Sequence, residues 1–389
     1  MRGASRNERR LLTAAAVAVA SLAALVLAGV GPAASTAFSP NVTVIASGLN
    51  NPRGLTFGPD GNLYVAEGGK GGSTASTAAQ CAQVVAPVGP YTGGPTADIV
   101  RLPSGGGAAT VVAGGLPSSQ TSPALGGLTS GVADVAFLGG KLYGLEAGAG
   151  CSHGLFGTAN EVFRVNGDGS TTMVANLSTY LAAHPVAHPE PDDFEPDGTW
   201  YSLLALRGSL YVVEPNHGEV DRVSPLTGAV TRVVDVSASQ GHIVPTSLAY
   251  HGNFFLGNLG TFPVTPGSSK LFKLTPSGTL KVWAKGLTTV LGVEADTRGR
   301  LYVLESMTAP GNPGPGELGT GQIVRIEHSG AVTQIATGLS FPTGMTWGPN
   351  GALYVSNLGF AGPGAGQILK VTVTGIKAAH PAKGHGKKK

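Results

Sequence analysis

Charge is scarce in this chain. Asp, Glu, Lys and Arg make up 12% of its 389 residues, and the formal net charge is only +3, with the excess at the termini. No basic stripe is interleaved with aromatics, so neither a nucleic-acid surface nor a polyanion groove is indicated. Catalytic signatures are missing too. There is no G-x-S-x-G elbow, no P-loop, no dinucleotide fingerprint after a strand and no H-E-x-x-H pair. Gly68-Gly69-Lys70-Gly71-Gly72 precedes no helix, so it reads as a flexible linker and not as a phosphate cradle. Cysteine is nearly absent, with Cys81 and Cys151 alone. None follows the apolar N-terminal run, which argues against a lipid-anchored lipoprotein.

What the chain has instead is a repeated strand ending in a polar residue. Leu63-Tyr64-Val65-Ala66-Glu67 returns as Leu142-Tyr143-Gly144-Leu145-Glu146 and Leu210-Tyr211-Val212-Val213-Glu214. It returns again as Phe254-Phe255-Leu256-Gly257-Asn258, Leu301-Tyr302-Val303-Leu304-Glu305 and Leu353-Tyr354-Val355-Ser356-Asn357. Each copy follows a short apolar strand and a tight turn such as Asp60-Gly61 or Asn350-Gly351, whose residues accept positive φ. A third strand and, after another Gly turn, a fourth complete the unit. Four antiparallel strands per unit, repeated six times, predict an all-β, six-bladed β-propeller.

The sixth unit lacks its fourth strand. Val42-Thr43-Val44-Ile45-Ala46-Ser47-Gly48-Leu49 matches Val332-Thr333-Gln334-Ile335-Ala336-Thr337-Gly338-Leu339 of the fifth. The N-terminal strand is therefore expected to complete the last blade and leave no open edge.

The ends carry other signals. Arg6, Arg9 and Arg10 precede an apolar run from Leu11 to Val30, and Ser35-Thr36-Ala37 is a small-residue cleavage candidate. Residues 1–37 read as a signal peptide, 38–375 as the propeller and 376–389 as a disordered basic His/Lys tail. A secreted, extracellular or cell-envelope monomer follows, with a membrane role only if the first segment stays uncleaved. In such a compartment Cys81 and Cys151, in equivalent loops of blades one and two, read as an inter-blade disulfide. Two free thiols are the alternative.

Long irregular segments all map to one rim: 68–97, 147–160, 176–200, 259–269, 306–320 and 359–364. Loops of this length in a compact repeat are where function concentrates. The strand ends meet that rim. Glu67, Asn258, Glu305 and Asn357 are candidate ligands for Ca²⁺ or another divalent cation, which takes six to eight oxygens. The competing reading is that such residues hydrogen-bond the next turn's backbone, and six equivalent positions favour that scaffold role.

Asymmetry marks a second set. On the innermost strands one channel-facing position carries Gly54, Asp134, Ser202, Ser247, Gly292 and Gly344. Two residues on stand Thr56, Ala136, Leu204, Ala249, Glu294 and Thr346. Asp134 and Glu294 break a small-residue pattern, and with Glu146 and Glu214 they are the candidate ligand-binding residues at the long-loop mouth of the channel. No catalytic residue is assigned. The segment 184–197 crowds His184 and His188 with acids among prolines, and reads as a stiff rim loop more than a metal site.

The run from Val44 to Glu67, with Gly131-Val132-Ala133-Asp134-Val135-Ala136-Phe137 and Glu214-Pro215-Asn216-His217, resembles the ScyD/ScyE family. Those are exported propellers named for scytonemin pigment clusters. The resemblance spans nearly the whole mature chain and implies fold and export rather than an activity. The chain departs from it at Thr199-Trp200-Tyr201-Ser202-Leu203, where relatives read something like S-N-P-Y-G. The expected function is a protein that binds a small molecule, glycan, peptide or partner protein through its long-loop face. A metal-dependent hydrolase or lactonase, resembling gluconolactonase-type propellers, is the alternative.

Overall fold

Short strands of alternating side chains, joined by glycine turns, assemble into six antiparallel sheets around a central channel. The computed structural model describes residues 37–104, 107–190, 194–275, 277–309, 317–327 and 330–374. The expected tail, and all of the expected signal segment but Ala37, lie outside these.

Blade 1 comprises β2 (Pro52–Phe57), β3 (Leu63–Glu67), β4 (Thr92–Leu102) and β5 (Thr110–Gln120), with β6 (Thr129–Ser130) added at its edge. Blade 2 holds β7 (Val132–Leu138), β8 (Lys141–Glu146), β9 (Glu161–Val165) and β10 (Thr171–Asn176). Blade 3 holds β11 (Ser202–Leu206), β12 (Ser209–Glu214), β13 (Glu219–Val223) and β14 (Val230–Asp235). Blade 4 is β15 (Pro245–His251), β16 (Asn253–Asn258), β17 (Ser269–Leu274) and β18 (Leu280–Leu287). Blade 5 is β19 (Val290–Ala295), β20 (Leu301–Glu305), β21 (Gly321–Ile326) and β22 (Val332–Leu339). In blade 6, β23 (Gly344–Trp347), β24 (Leu353–Asn357) and β25 (Gly366–Val371) are joined by β1 (Val42–Leu49).

The expected closure is present. Val42 pairs with Val371 and Val44 with Leu369, and a bulge then sets Ala46 against Ile368. Residues ahead of β1 reinforce it. Asn41 Nδ2 donates to Ile335 O at 2.9 Å in blade 5 and to Thr372 O at 3.0 Å in blade 6. The first and last strands are thus held in one sheet.

No single core fills the molecule. Each blade-to-blade contact has its own apolar cluster, six in all. The second strands, buried on both faces, supply the centre of these clusters: Leu63-Tyr64-Val65-Ala66-Glu67 and its copies in blades 5 and 6 are buried throughout. A second repeat feature emerges from the register. The aromatic of the second strand faces a basic residue on the third in every blade: Tyr64 and Arg101, Tyr143 and Arg164, Tyr211 and Arg222, Phe255 and Lys273, Tyr302 and Arg325, Tyr354 and Lys370. In blade 5 the pair makes a cation–π contact, with the Arg325 guanidinium 5.9 Å from the Tyr302 ring centre.

Blade 1 differs from expectation. The segment 92–97 is not loop but the start of β4: Thr92, Gly93 and Gly94 pair with Gln120, Ser119 and Ser118 of β5, and after a register shift Ala97 pairs with Leu116. The glycines at 68–72 are not a flexible linker. A Cβ on Gly72 would lie 2.3 Å from Gly93 O, and one on Gly69 2.5 Å from Thr96 O. Gly71 N also donates to Ser118 Oγ at 2.9 Å. Glycine is needed there because two backbones touch. The 176–200 connection also contains a short helix, α1 (Leu177–Ala183), started by Asn176, whose side chain accepts from Thr179 N at 2.8 Å.

Since β1 alone covers the outer edge of β25, removing residues 1–46 should abolish cooperative folding. Calorimetry should show the single transition replaced by a broad one, and size-exclusion chromatography should show association through the bared edge. A truncated chain that melts sharply as a monomer would refute this.

Candidate functional site

Each of the six strand-end residues accepts at least one backbone N–H. Glu67 Oε1 accepts from Asn50 N at 2.7 Å, and Asn357 Oδ1 accepts from Ser340 N at 2.8 Å. Glu305 accepts from Thr288 N and, at 2.7 Å, from Gln322 Nε2. Asn258 donates to Ile243 O at 2.9 Å and accepts from Lys270 N at 2.7 Å. In most blades the bonded N–H lies just before the innermost strand, so each clamp fixes where a blade begins. Four of these residues were expected as cation ligands. The structure instead separates them, one to a blade, and among the described residues no three His, Cys, Asp or Glu side chains gather as a metal site.

The four expected ligand-binding residues divide into three places. Asp134 and Glu294 share the wall of a channel cavity of ≈ 240 Å³, which also takes in Gly54, Ser202, Ser247 and Gly344. Asp134 accepts from Val135 N at 2.8 Å and, across to blade 3, from Leu203 N at 2.7 Å. Gly54 makes room for it: a Cβ there would lie 1.8 Å from Asp134 Oδ1. Burial pushes the Asp134 carboxyl up to about 7, against the pull of those two N–H groups. Glu294 rises to about 8, through burial first and the charge of Asp134 second. Both side chains still touch cavity solvent while protein surrounds them.

Two residues that the repeat did not single out span the long-loop end of this channel. The Tyr201 hydroxyl donates to Thr343 O at 2.7 Å, joining blade 3 to blade 6. Arg53, buried, donates to Gly359 O at 2.6 Å and to Thr129 O, with its guanidinium 4.4 Å from the Phe360 ring centre. The mouth expected to admit ligand is therefore crossed by side chains, and the cavity lies beneath them. One signal was available: at the position preceding Gly54 in the repeat, Arg53 is the lone charged residue among Ala133, Tyr201, Thr246, Leu291 and Thr343. Glu214 lies apart. It is wholly buried and accepts from Thr199 N at 2.8 Å and from His217 N.

The long loops of blades 1 to 3 are tied together. Cys81 and Cys151 form the expected disulfide. Next to it His153 Nε2 meets Glu195 Oε2 at 3.0 Å, and Tyr91 donates to Glu195 Oε1 at 2.9 Å. Asp197 accepts from Ser152 N and Oγ at 2.7 and 2.6 Å. Glu195 and Asp197 thus anchor the end of this segment to the Cys151 turn. The His184 ring bonds its own helix, through Tyr180 O at 2.9 Å, and the His184 carbonyl accepts from Arg232 of blade 3.

Glu146 opens onto a different space. A groove of ≈ 960 Å³ runs over blade 2 between the β5 extension and α1. Leu116, Phe163 and Met173 form apolar walls, and Thr179, Pro196 and Asp197 line the opposite side. Glu146 Oε1 accepts from Gly148 N at 2.8 Å and Ala147 N at 3.1 Å. Its Oε2 is buried and unpaired. Beside it, at the start of β9, stands Glu161, which the repeat did not flag. Burial lifts Glu161 to about 7, and burial with the charge of Glu161 lifts Glu146 to about 8. Two carboxyls so placed retain a proton near neutral pH.

Two outcomes follow. Losing the bond in Cys81→Ser/Cys151→Ser should cost about 2–4 kcal/mol in denaturant unfolding, chiefly by freeing the unfolded chain; an unchanged midpoint would contradict it. The second concerns pH. In the unfolded chain Glu294 ionises near its ordinary value, whereas in the fold it holds its proton to about 8. The unfolded state therefore releases its proton first, and stability is lost as pH rises from ~4.5 to ~8. Glu294→Gln should raise the melting temperature at pH 8, by a few degrees for a gain of about 1–2 kcal/mol, and leave it unchanged at pH 4. An equal shift at both values would refute this.

No family model matches the chain, and no curated protein matches it. Solved structures share its fold. A putative oxidoreductase (glucose dehydrogenase) from Thermus thermophilus aligns at 16% identity and TM-score 0.51, covering 85% of this chain and 99% of its own. The calcium-binding protein regucalcin of Agrobacterium tumefaciens aligns at 15% and TM-score 0.51, over 86% and 93%. A gluconolactonase of Xanthomonas campestris aligns at 10% and TM-score 0.50, over 85% and 89%. At such identities the likeness concerns the fold alone.

Proposed function

We propose that this chain is an exported propeller of the ScyD/ScyE kind that works by binding a ligand in the long-loop groove over blade 2. One observation carries the reading: the unpaired, buried Oε2 of Glu146 beside Glu161 in a roomy, half-apolar groove. A buried polar atom without a partner is costly, and a bound N–H or O–H donor would satisfy it. Apolar walls with a few converging polar groups are the general form of a small-molecule site. The disulfide and the His153–Glu195 pair hold the loops beside this groove in place, as a preformed site requires.

A second reading, a metal-dependent hydrolase or lactonase, draws on Asp134 and Glu294 in one cavity and on the fold shared with the gluconolactonase. The remaining candidate ligands, Glu67, Asn258, Glu305 and Asn357, are engaged with backbone or with neighbouring side chains, which leaves this reading only two carboxylates. Ca²⁺ or another divalent ion that raises the melting temperature of the wild type, but not of Asp134→Asn, would favour it over the first.

The first reading is tested by a thermal-shift screen of oligosaccharides and amines, with hits measured by calorimetry. Glu161→Gln and Glu146→Gln should each weaken a hit about tenfold, or ~1.4 kcal/mol, at a melting temperature no lower than that of the wild type. Amine hits should tighten as pH rises through 7 to 8, because the pair must then shed its proton, and neutral sugars should not. Hits indifferent to both substitutions would overturn the assignment.

A further inference from the structure

The outer strands of three blades carry one pattern. Blade 6 has Val42-Thr43-Val44-Ile45-Ala46-Ser47-Gly48-Leu49 and blade 5 has Val332-Thr333-Gln334-Ile335-Ala336-Thr337-Gly338-Leu339. Blade 4 has Leu280-Lys281-Val282-Trp283-Ala284-Lys285-Gly286-Leu287. Lys281 and Lys285 stand where the others carry Thr or Ser, and Trp283 stands where they carry Ile. One strand inward, Lys270 replaces the Gln of Gln322 and Gln367. All four departures from the repeat add a positive charge or a large aromatic ring.

Strand pairing gathers what the linear order spreads out. Lys281 lies opposite Lys273, and Lys285 opposite Lys270. The ladder steps past Trp283, a bulge that re-aims its side chain. Trp283 is 50% exposed, while Ile45 and Ile335 are half-buried or better. Its ring is nevertheless held: Phe255 meets it at 5.5 Å and 67°, and Lys273 Nζ lies 5.4 Å from its centre. From Val236 to Val293 the chain contains no Asp or Glu, and none of the four lysines makes an ion pair among the described residues.

This arrangement costs stability, since like charges directly opposite repel. Lysine alone would be explained as protection of a sheet edge against pairing. An exposed tryptophan at the middle of that edge works against such protection.

We propose that the outer edge of blade 4 binds an anionic polysaccharide. Trp283 offers a fixed platform for the apolar face of a sugar ring; Lys273 and Lys281 on its face of the strand pair, and Lys270 and Lys285 on the other face of the same edge, match carboxylate, sulfate or phosphate groups along the polymer. From Lys281 to Lys285 the strand spans roughly 13 Å, so several charged units are met at once. Single-stranded nucleic acid is favoured less, because its binders stack successive bases on several aromatics and this edge presents one. A membrane surface calls for side chains free to insert, and this ring is clamped. The surface is separate from the groove over blade 2, so either can fail without the other.

The test restores the internal repeat. A variant with Lys281→Thr, Trp283→Ile and Lys285→Thr has the blade 5 residues at these positions and is expected to fold. Wild-type protein should bind immobilised polygalacturonate or heparin, with affinity falling as salt rises, and should ignore dextran. The triple variant should bind at least ~tenfold more weakly, a free-energy loss of ~1.4 kcal/mol, at a melting temperature equal to or above that of the wild type. Lys370→Gln, which removes a charge from the corresponding position of blade 6, should bind as wild type. Wild-type affinity in the triple variant, no binding to either polyanion, or tighter binding to single-stranded DNA or phosphatidylserine vesicles would each overturn the proposal.

Discussion

The whole fold depends on one shared sheet. A ring of blades has no covalent seam except where the chain begins and ends, and here β1 and β25 are neighbours in blade 6. Without that pairing the ring would have an open edge of unpaired N–H and C=O groups at β25. It would also lose part of two blade interfaces, because Leu49 packs against Leu55 and Leu63 of blade 1 while Val42 packs with the blade 5 and 6 cluster. Closure therefore acts on backbone and side chains together. The link from Asn41 to Ile335 and Thr372 extends it one blade further.

Once the ring is closed, each blade needs a fixed starting point, and the strand-end clamps supply it. A carboxylate or amide that accepts an N–H from the residue just before the innermost strand sets the distance between channel and second strand. Glu and Asn serve equally because only one acceptor oxygen is needed. Such residues line up at one rim and so resemble a metal-binding ring in the sequence, yet each already gives an oxygen to a backbone N–H. Burial then raises Glu67, Glu146 and Glu305: Glu67 reaches about 7 for this reason, with the N–H of Asn50 pulling the other way.

This explains what was legible in the sequence and what was not. The repeated second strand, its turns and the match between 42–49 and 332–339 are local patterns, and they carried blade number, strand count and closure. The disulfide followed from two equivalent loop positions. Asp134 and Glu294 were found because they break a repeat, and they do share a cavity. Tyr201, Arg53 and Glu161 were not found as site residues. Each matters through a partner from another blade, loop or strand, such as Thr343, Gly359 or Glu146, and such convergence leaves no periodic trace. The extension of β4 was also hidden, because close backbone contact uses the same glycines as a flexible linker.

In a molecule made of copies, a position shared by all blades is explained by the ring, and a departure from it asks for a separate cause. Several departures have structural causes. Arg53 and Tyr201 bridge blades across the channel end, and Gly54 leaves space for the Asp134 carboxylate. Others have none. The unpaired oxygen of Glu146 satisfies nothing within the protein, and the tryptophan and lysines of blade 4 weaken the edge they occupy. Features that cost stability and are repaid by no contact inside the fold are best accounted for by contacts outside it. On that criterion the blade 2 groove and the blade 4 edge are the surfaces proposed for contact with other molecules, while Tyr201, reaching from blade 3 to Thr343 in blade 6, serves the ring itself.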